Sequence, residues 1–298
     1  MTTKSPAEGA IVALRRADLR GPRPRLDRRR HIVTADFADI ALAGTVASAW
    51  YVDPVTMTCI VPRTALRSAG DAAAGAVSEL LFGEDFDLFD TVGDWGHGRS
   101  AHDHYTGWVP MAALGDKVGT AAHSVTARAA PLFAAADIKA AVLAELPFGA
   151  RVDGEWQADF LALASGGYLH RRHLAPPPAT PIAVAHGFAG APYLWGGRTP
   201  FGIDCSGLVQ ASLAACGIAA PRDSDQQRDT LGRAVAFADR QGGDLVFFPG
   251  HVGILVDADT LFHANAYWMT TRAEPLADVI ARLSAAGVAQ PVTAVRRL

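Results

Sequence analysis

A repeated block in the middle of the chain limits the possible folds more than any other feature. The segment SELLFGEDFDL, Ser78 to Leu88, returns 66 residues later as AELPFGARVDG, Ala144 to Gly154. Each copy leads into an aromatic-rich strand pattern, YTGWVP from Tyr105 and GGYLHRRHL from Gly166. Self-similarity of this kind marks repeated supersecondary units. The repeat therefore predicts two related small β-barrels.

The composition of the two copies resembles that of bacterial SH3-like domains. Both have Gly and Asp at the turns and a closing GW or GY step, and the first has Trp95 soon after its FG pair. Taken one at a time, Trp95, Trp108 and Tyr168 are also explained as core aromatics of a β-sandwich. Their joint spacing favours barrels, which we place at residues 61–116 and 117–175.

Ahead of the barrels, residues 1–60 form an N-terminal segment that we expect to be partly extended. Its basic residues cluster, and we expect a solvated tail or a surface strap. The arginines are Arg15, Arg16, Arg20, Arg23, Arg25, Arg28, Arg29 and Arg30. Over the whole chain the net charge is -3, so no global basic field exists to attract nucleic acid or anionic lipid. We predict neither as a partner.

Two further observations bear on location. No apolar segment long enough for a secretory signal follows the start, because Ile11–Leu14 ends at the arginines. The longest apolar stretch, Ile40–Val52, is interrupted by glycine, threonine and serine and cannot span a bilayer. These patterns predict a cytoplasmic protein with no membrane contact.

A proline-rich segment divides the chain. APPPATP, Ala175 to Pro181, has four prolines in seven residues and predicts a stiff extended linker at 176–181. After it the pattern changes to α+β, with an antiparallel sheet, over residues 182–298. The predicted helices lie around 182–188, 206–216 and 225–231, and the predicted strands at 243–249, 251–257 and 261–267.

Cysteine usage singles out one residue. The three cysteines, Cys59, Cys205 and Cys216, are an odd number and do not form the framework of a secreted disulfide scaffold. Cys59 lies in a strand-like pattern and Cys216 in a helical one, so both are predicted to be small buried hydrophobes. Cys205 stands apart because it lies in GIDCSGLVQ, between an aspartate and a serine.

The neighbours of Cys205 predict a nucleophile at a helix start. An apolar helical run follows it, and Asp204 or Ser206 can cap that helix. At a helix N-terminus the free N–H groups and the macrodipole favour a thiolate. The glycines on either side, Gly202 and Gly207, are expected to let a substrate approach the backbone.

A thiolate also needs a base, and the sheet that follows offers His251 and His263. Side chains alternate along strands, so the loop between the two strands decides whether these histidines share a face. A two- or four-residue loop would place position 254 opposite His263, on the wrong face. An odd loop or a bulge would place position 253 there instead. A catalytic pair therefore requires the odd register.

Zinc binding is an alternative use of the same residues. One thiol and two imidazoles are zinc ligands, and Asp204 could be a fourth. The chain has no C-x-x-C or H-x-x-x-H spacing to support it. We expect no metal and no cofactor.

Five blocks follow one another over roughly residues 180–298: PYLWGG, GIDCSGLVQ, PRDSDQQ, GDLVFFPGHVGILVD and LFHANA. Together they resemble the NlpC-type cysteine peptidases of bacterial cell walls. The resemblance implies an α+β, papain-like fold preceded by the two SH3-like barrels, with Cys205 as nucleophile, His251 as base and His263 as the residue that orients the base. It also implies Tyr193 as a second oxyanion donor beside the Cys205 N–H.

With two SH3-like units ahead of this domain, the chain resembles in particular the γ-D-glutamyl-L-diamino acid endopeptidases of muropeptide recycling. This implies cleavage of the γ-D-glutamyl bond to meso-diaminopimelate, or to L-Lys, in a murein tripeptide or tetrapeptide that has a free N-terminal L-Ala. Barrel residues Tyr105 and Glu84 match those that close over the amine. The substrate-pocket positions match Asp204, Ser206, Trp195, Asp223 and Ser224.

Two rival functions remain open. A catalytically silent wall-peptide-binding module is disfavoured because Cys205, His251 and His263 are all present. A thiol acyltransferase or amidase on the same scaffold is compatible with the residues, since an acyl-enzyme can pass to acceptors other than water. The second barrel has Ala150 where the first has Glu84, so we expect it to be structural.

Overall fold

The computed structural model describes residues 26–117, 119 and 121–298. Five of the clustered arginines, Arg15 to Arg25, lie outside these residues, whereas 28–30 lie within them. The N-terminal part that is described contains a short parallel pair, β1 (Phe37–Asp39) and β2 (Trp50–Val52), joined through a 3-10 turn at Ile40–Leu42.

The first β-unit is a seven-stranded antiparallel sheet in the order β5-β4-β8-β7-β6-β3-β9. Its core includes Leu66, Leu80 and Phe86. The sheet begins before the predicted boundary at residue 61, because β3 pairs with both β6 and β9. The strands are β3 (Val55–Cys59), β4 (Arg63–Arg67), β5 (Ala76–Leu81), β6 (Asp85–Val92), β7 (Trp95–Ser100), β8 (Thr106–Pro110) and β9 (Leu114–Asp116).

The second β-unit repeats part of the first. A sheet in the order β12-β11-β16-β15-β14 lies beside the short pair β10-β13. Its hairpin β11–β12 stands 66 residues after β4–β5, and the register shift at Leu66/Arg67 recurs at Leu132/Phe133. The strands are β10 (His123–Ser124), β11 (Ala129–Phe133), β12 (Val142–Pro147), β13 (Arg151–Val152), β14 (Gly154–Gln157), β15 (Phe160–Leu163) and β16 (Tyr168–His170).

The C-terminal unit is α+β and contains a six-stranded sheet in the order β19-β24-β20-β21-β22-β23. The short pair β17 (Arg198–Thr199) and β18 (Gly202–Ile203) precedes its central helix. The helices are α1 (Pro181–His186), α2 (Cys205–Ala215), α3 (Ser224–Thr230) and α4 (Leu276–Ala285). The sheet strands are β19 (Arg233–Ala234), β20 (Leu245–Phe248), β21 (His251–Leu255), β22 (Thr260–Asn265), β23 (Thr270–Pro275) and β24 (Ala294–Arg297).

Both faces of this sheet are covered. Helix α2 lies against β21 and β22, and its core cluster takes alternate strand residues such as Phe247, Val252 and Phe262. The other residues of the same strands, among them Phe248 and Leu261, pack with α4. Burial on both sides fixes the start of α2 relative to β21 and β22.

A buried ion pair joins the first β-unit to the C-terminal unit. Arg198 donates to both carboxylate oxygens of Glu84, at 2.9 and 3.0 Å, and its backbone N–H donates to Glu79. Each of these side chains is about 5% exposed. In the part of the chain that the structure describes, no helix is long and apolar enough to cross a membrane.

Candidate active site

Cys205 is the first residue of α2, as the sequence predicts. Asp204 caps the helix, because its Oδ1 accepts from the Gly207 N–H at 2.7 Å. The thiol is buried, and the backbone N–H groups of Val252 and Ser206 donate hydrogen bonds to the sulfur. Since Val252 follows His251 directly, the sulfur lies beside the start of β21.

The glycines around Cys205 have a different reason from the predicted one. A Cβ at Gly207 would overlap the carbonyl oxygen of Gly197, and a Cβ at Gly202 would overlap the side chain of Leu194. Close packing within the chain, rather than access of substrate to the backbone, therefore requires glycine at both positions.

The two histidines meet in the register that the catalytic interpretation requires. Ile254 pairs with Phe262 and Leu255 with Leu261, which places position 253 opposite His263. The imidazoles consequently share a face, with His251 Nε2 2.7 Å from His263 Nδ1. A Cβ at Gly253 would come within 3.1 Å of the Cβ of His263, so a glycine there leaves room for this contact.

Behind His263 lies a carboxylate that the sequence did not reveal. His263 Nε2 is 2.7 Å from Glu274 Oε1, and His263 is fully buried. Glu274 is on β23, one strand beyond β22. The only sequence signal for it was a lone acidic residue in an otherwise ordinary strand pattern.

Burial sets the resting charges of the pair. It raises the pKa of the Cys205 thiol to about 12, and the nearby Asp204 adds to this. Burial also lowers the pKa of His251 to about 3, with a further contribution from His263. Both shifts favour a neutral thiol and a neutral imidazole in the free protein, so the desolvation of Cys205 opposes the thiolate that the helix macrodipole favours.

Asp204 and Ser206 belong to an internal network. The guanidinium of Arg222, 1% exposed, donates to both oxygens of Asp204 and to Ser206 Oγ. Asp204 also accepts from the Gly196 N–H at 2.8 Å. This geometry does not support a contact between Asp204 and a substrate ammonium; it supports a role in fixing the helix start that carries Cys205.

A second carboxylate lies at the junction of the first β-unit and the C-terminal unit. Asp223 Oδ2 accepts from the Tyr105 hydroxyl at 2.9 Å and from Arg29 Nη1 at 2.8 Å. Ser224 follows it as the first residue of α3. The resemblance assigned both Tyr105 and Asp223 to substrate binding, and the structure places them in contact. The resemblance did not assign Arg29 from the basic run.

Glu84, in contrast, does not join Tyr105 and Asp223. Its carboxylate is buried against Arg198, and that charge and its hydrogen bonds help to hold the pKa of Glu84 below its usual range. The predicted contact with the peptide amine is therefore not supported, since an ammonium would have to displace a bidentate buried partner.

Trp195 is 67% exposed, two residues after Tyr193.

Tyr193 is placed near the nucleophile. Burial, with Cys205 and Asp204 nearby, raises the pKa of its hydroxyl to about 12. The phenol is thus protonated at neutral pH and available as a hydrogen-bond donor.

Among residues 26–117, 119 and 121–298, no group of three or more His, Cys, Asp or Glu side chains is placed to hold a metal ion.

Two family matches follow the same division of the chain. Residues 190–295 match the NlpC/P60 family. The chain contains an NlpC/P60 peptidase domain. Residues 66–114 match the bacterial dipeptidyl-peptidase Sh3 domain, so the first β-unit is an SH3 domain of this type. The resemblance noted in the sequence is confirmed.

Similar proteins extend over more of the chain. Dipeptidyl-peptidase 6 of Lysinibacillus sphaericus is 28% identical over 67% of this chain and 84% of its own length. The γ-D-glutamyl-L-lysine dipeptidyl-peptidase of Bacillus cereus is 29% identical over 57% of this chain and 59% of its own length. Other curated relatives are 39–41% identical over 85–90 residues, and this chain spans only 23–28% of their length.

A solved structure shares the fold. An NlpC/P60 family protein from Bacillus cereus superposes with a TM-score of 0.67, covering 81% of this chain and 99% of its own, at 21% identity. The two proteins therefore share their fold over most of both chains.

We expect Tyr193→Phe to lower kcat by about 10²-fold with little change in KM, because loss of one oxyanion donor typically costs that much. Steady-state kinetics on a murein peptide measures it. Tyr168→Phe, a half-buried tyrosine of the second β-unit, is the matched control. A Tyr193→Phe enzyme within a few-fold of wild type would remove the oxyanion role.

Proposed function

We propose that this protein is a cysteine endopeptidase that hydrolyses the γ-D-glutamyl bond to the diamino acid in free murein stem peptides. The observation that carries the proposal is the hydrogen-bonded pair His251–His263 together with the buried Cys205 sulfur, which accepts from the backbone N–H of Val252, the residue after His251. The names of similar proteins, dipeptidyl-peptidase 6 and γ-D-glutamyl-L-lysine dipeptidyl-peptidase, support the choice of bond. We further propose that the second β-unit is a second SH3-like barrel with a structural role.

The chemistry follows from the resting charges. His251 takes the proton from the Cys205 thiol, and the sulfur attacks the γ-carbonyl carbon of D-glutamate. The carbonyl oxygen becomes an oxyanion that the Cys205 N–H and the Tyr193 hydroxyl stabilise. When the C–N bond breaks, His251 returns the proton to the departing amine of the diamino acid.

The second half of the reaction releases the acyl group. A water molecule loses a proton to His251 and attacks the thioester carbonyl, and the Cys205–acyl bond breaks. The products are L-Ala-γ-D-Glu and the diamino acid or its peptide. The leaving sulfur regains the proton from His251, which restores the neutral pair.

The Asp223 cluster supports a requirement for a free amino terminus. Arg29 contacts three carboxylates, Asp27, Asp223 and Asp225, so the cluster keeps a net negative charge. Arg29 and Tyr105 both bind Oδ2 of Asp223, which leaves Oδ1 for a ligand. An ammonium placed there would form a charge-assisted hydrogen bond. Ser224 and Trp195 would line the same end of the peptide.

The first test compares L-Ala-γ-D-Glu-diaminopimelate with the same peptide acetylated on its amine. We expect kcat/KM for the free peptide to exceed that for the capped one, and Asp223→Asn to reduce this preference about 10- to 100-fold, since a hydrogen bond to a charged group is worth about 1.5–3 kcal/mol. Asp225→Asn is the matched control, because Asp225 binds Arg29 but not Tyr105. Products are followed by mass.

Two results would overturn parts of the proposal. Equal cleavage of the capped peptide would remove the amine site. Transfer of the acyl group to an added amine in place of hydrolysis would favour the transferase. Recycling of released murein peptides in the cytoplasm is also part of the proposal, and fractionation of cells tests it.

A further inference from the structure

We propose that Glu274 is a positioning residue of the active site, which selects the tautomers of His263 and His251 and balances the charge that the pair carries during catalysis. This inference rests on the proposed function, because it concerns the same thiol and imidazole. It adds a carboxylate from a neighbouring strand that the sequence analysis did not assign.

The donors around Glu274 require an ionised carboxylate. Oε1 accepts from His263 Nε2 at 2.7 Å and from Asn265 Nδ2 at 3.1 Å, and Oε2 accepts from Trp268 Nε1 at 3.1 Å. Arg282 donates to both oxygens. A carboxylate offers acceptors only, whereas the amide group of a glutamine would direct two N–H donors towards some of these donors.

The position of the proton on each ring follows from this contact. Because Glu274 only accepts, His263 carries its proton on Nε2 and presents the lone pair of Nδ1 to His251. His251 Nε2 must then be the donor in the 2.7 Å contact. The lone pair left on His251 is that of Nδ1, the nitrogen that can take the proton of Cys205. One buried carboxylate thus fixes the tautomer of His263 and, through it, the tautomer of His251.

Glu274 also affects the charge on the pair. When His251 accepts the thiol proton, the imidazolium lies in a partly buried site, where an anion two contacts away stabilises it. Among the groups that act on His251, Glu274 and Asp204 raise its pKa, and His263 and Arg282 lower it. Arg272, on the strand position opposite His263, stacks over Trp268.

Arg282 provides a second variant, for which the opposite pKa shift is expected. It shares Glu274 with His263, at 2.8 Å from Oε1, but its charge acts on the pair in the opposite direction. Removing the carboxylate should lower the pKa of His251, and removing the guanidinium should raise it. A purely structural role for Glu274 would not produce opposite shifts.

The experiment has two readouts on the full chain. In Glu274→Gln we expect kcat to fall about 10- to 100-fold, the size typical of lost outer-shell partners, with KM nearly unchanged. The unfolding midpoint should also fall, because the amide leaves buried donors without an acceptor. The acid limb of kcat/KM should move to lower pH, and in Arg282→Gln it should move to higher pH. Glu145→Gln, an exposed glutamate of β12, is the matched control.

The second readout does not depend on hydrolysis. Histidine ¹⁵N spectra report which ring nitrogens of His251 and His263 carry protons and how they titrate. We expect both Nε2 atoms to be protonated in the wild type and this pattern to be lost in Glu274→Gln. Unchanged tautomers and unshifted titration in both variants would overturn the inference, even if the peptide is cleaved. A protein that cleaves no peptide but shows these shifts would overturn the proposed function alone.

Discussion

Cys205→Ala is expected to lower kcat on the murein tripeptide by about 10⁴-fold or more, because it removes the only group that forms the acyl-enzyme. The remaining rate should be that of substrate binding and oxyanion donors alone. Since the substitution removes only the sulfur atom, the unfolding midpoint should change little. Product release followed by mass, with a parallel thermal melt, measures both.

The control for this variant is Cys216→Ala, which changes a partly exposed thiol at the far end of α2. Cys216→Ala should retain full activity, so that a general effect of thiol removal is excluded. If Cys205→Ala kept more than a few per cent of the wild-type rate, the thiol would not be the nucleophile, and a water-based mechanism would have to replace it.

Arg198→Met is expected to have the largest effect on stability, about 3–5 kcal/mol, because it leaves the buried carboxylate of Glu84 without its partner. It also removes the guanidinium bond to the Glu79 carbonyl at 2.7 Å. These contacts cross from the SH3 domain to the peptidase domain, so their loss should loosen the junction. Chemical denaturation, followed by fluorescence of the tryptophans, measures the change in the free energy of unfolding.

Glu84 variants separate stability from substrate binding. The double substitution Glu84→Leu with Arg198→Met should recover part of the lost stability, since replacing a buried pair by apolar groups is often tolerated. Glu84→Gln should be destabilised yet keep its preference for the uncapped peptide. If Glu84→Gln instead lost that preference while remaining as stable as the wild type, Glu84 would be an amine ligand as the sequence comparison implied.

Local patterns in the sequence predicted several features around Cys205. A cap at Asp204 or Ser206 and the apolar run that follows predicted that Cys205 begins a helix, as it does. The catalytic interpretation of His251 and His263 required an odd register, and the structure has that register. The repeat anticipated the hairpin β11–β12 as a copy of β4–β5. These features depend on residues a few positions apart or on strict periodicity, which the order of residues records directly.

Three assignments needed distances between parts of the chain that are far apart in sequence. Glu84 and Asp223 are both acidic residues at positions that the family resemblance assigned to substrate binding. Only the fold shows that Glu84 is paired with Arg198, whereas Asp223 accepts from the Tyr105 hydroxyl. Arg29 was one member of a basic run until the structure placed it against Asp223. The burial that opposes a thiolate at the helix start also depends on what packs around Cys205.

The sequence by itself therefore placed Cys205 at a helix start and put a β-rich part before an α+β part, because backbone periodicity and helix capping are local. The tertiary structure decided which carboxylates are free, which are paired and which one stands behind the histidines. Glu274 illustrates the reason: its five donors come from β22, the turn after it and α4. The charge of a buried group is set by all of its neighbours at once, and only the folded chain brings those neighbours together.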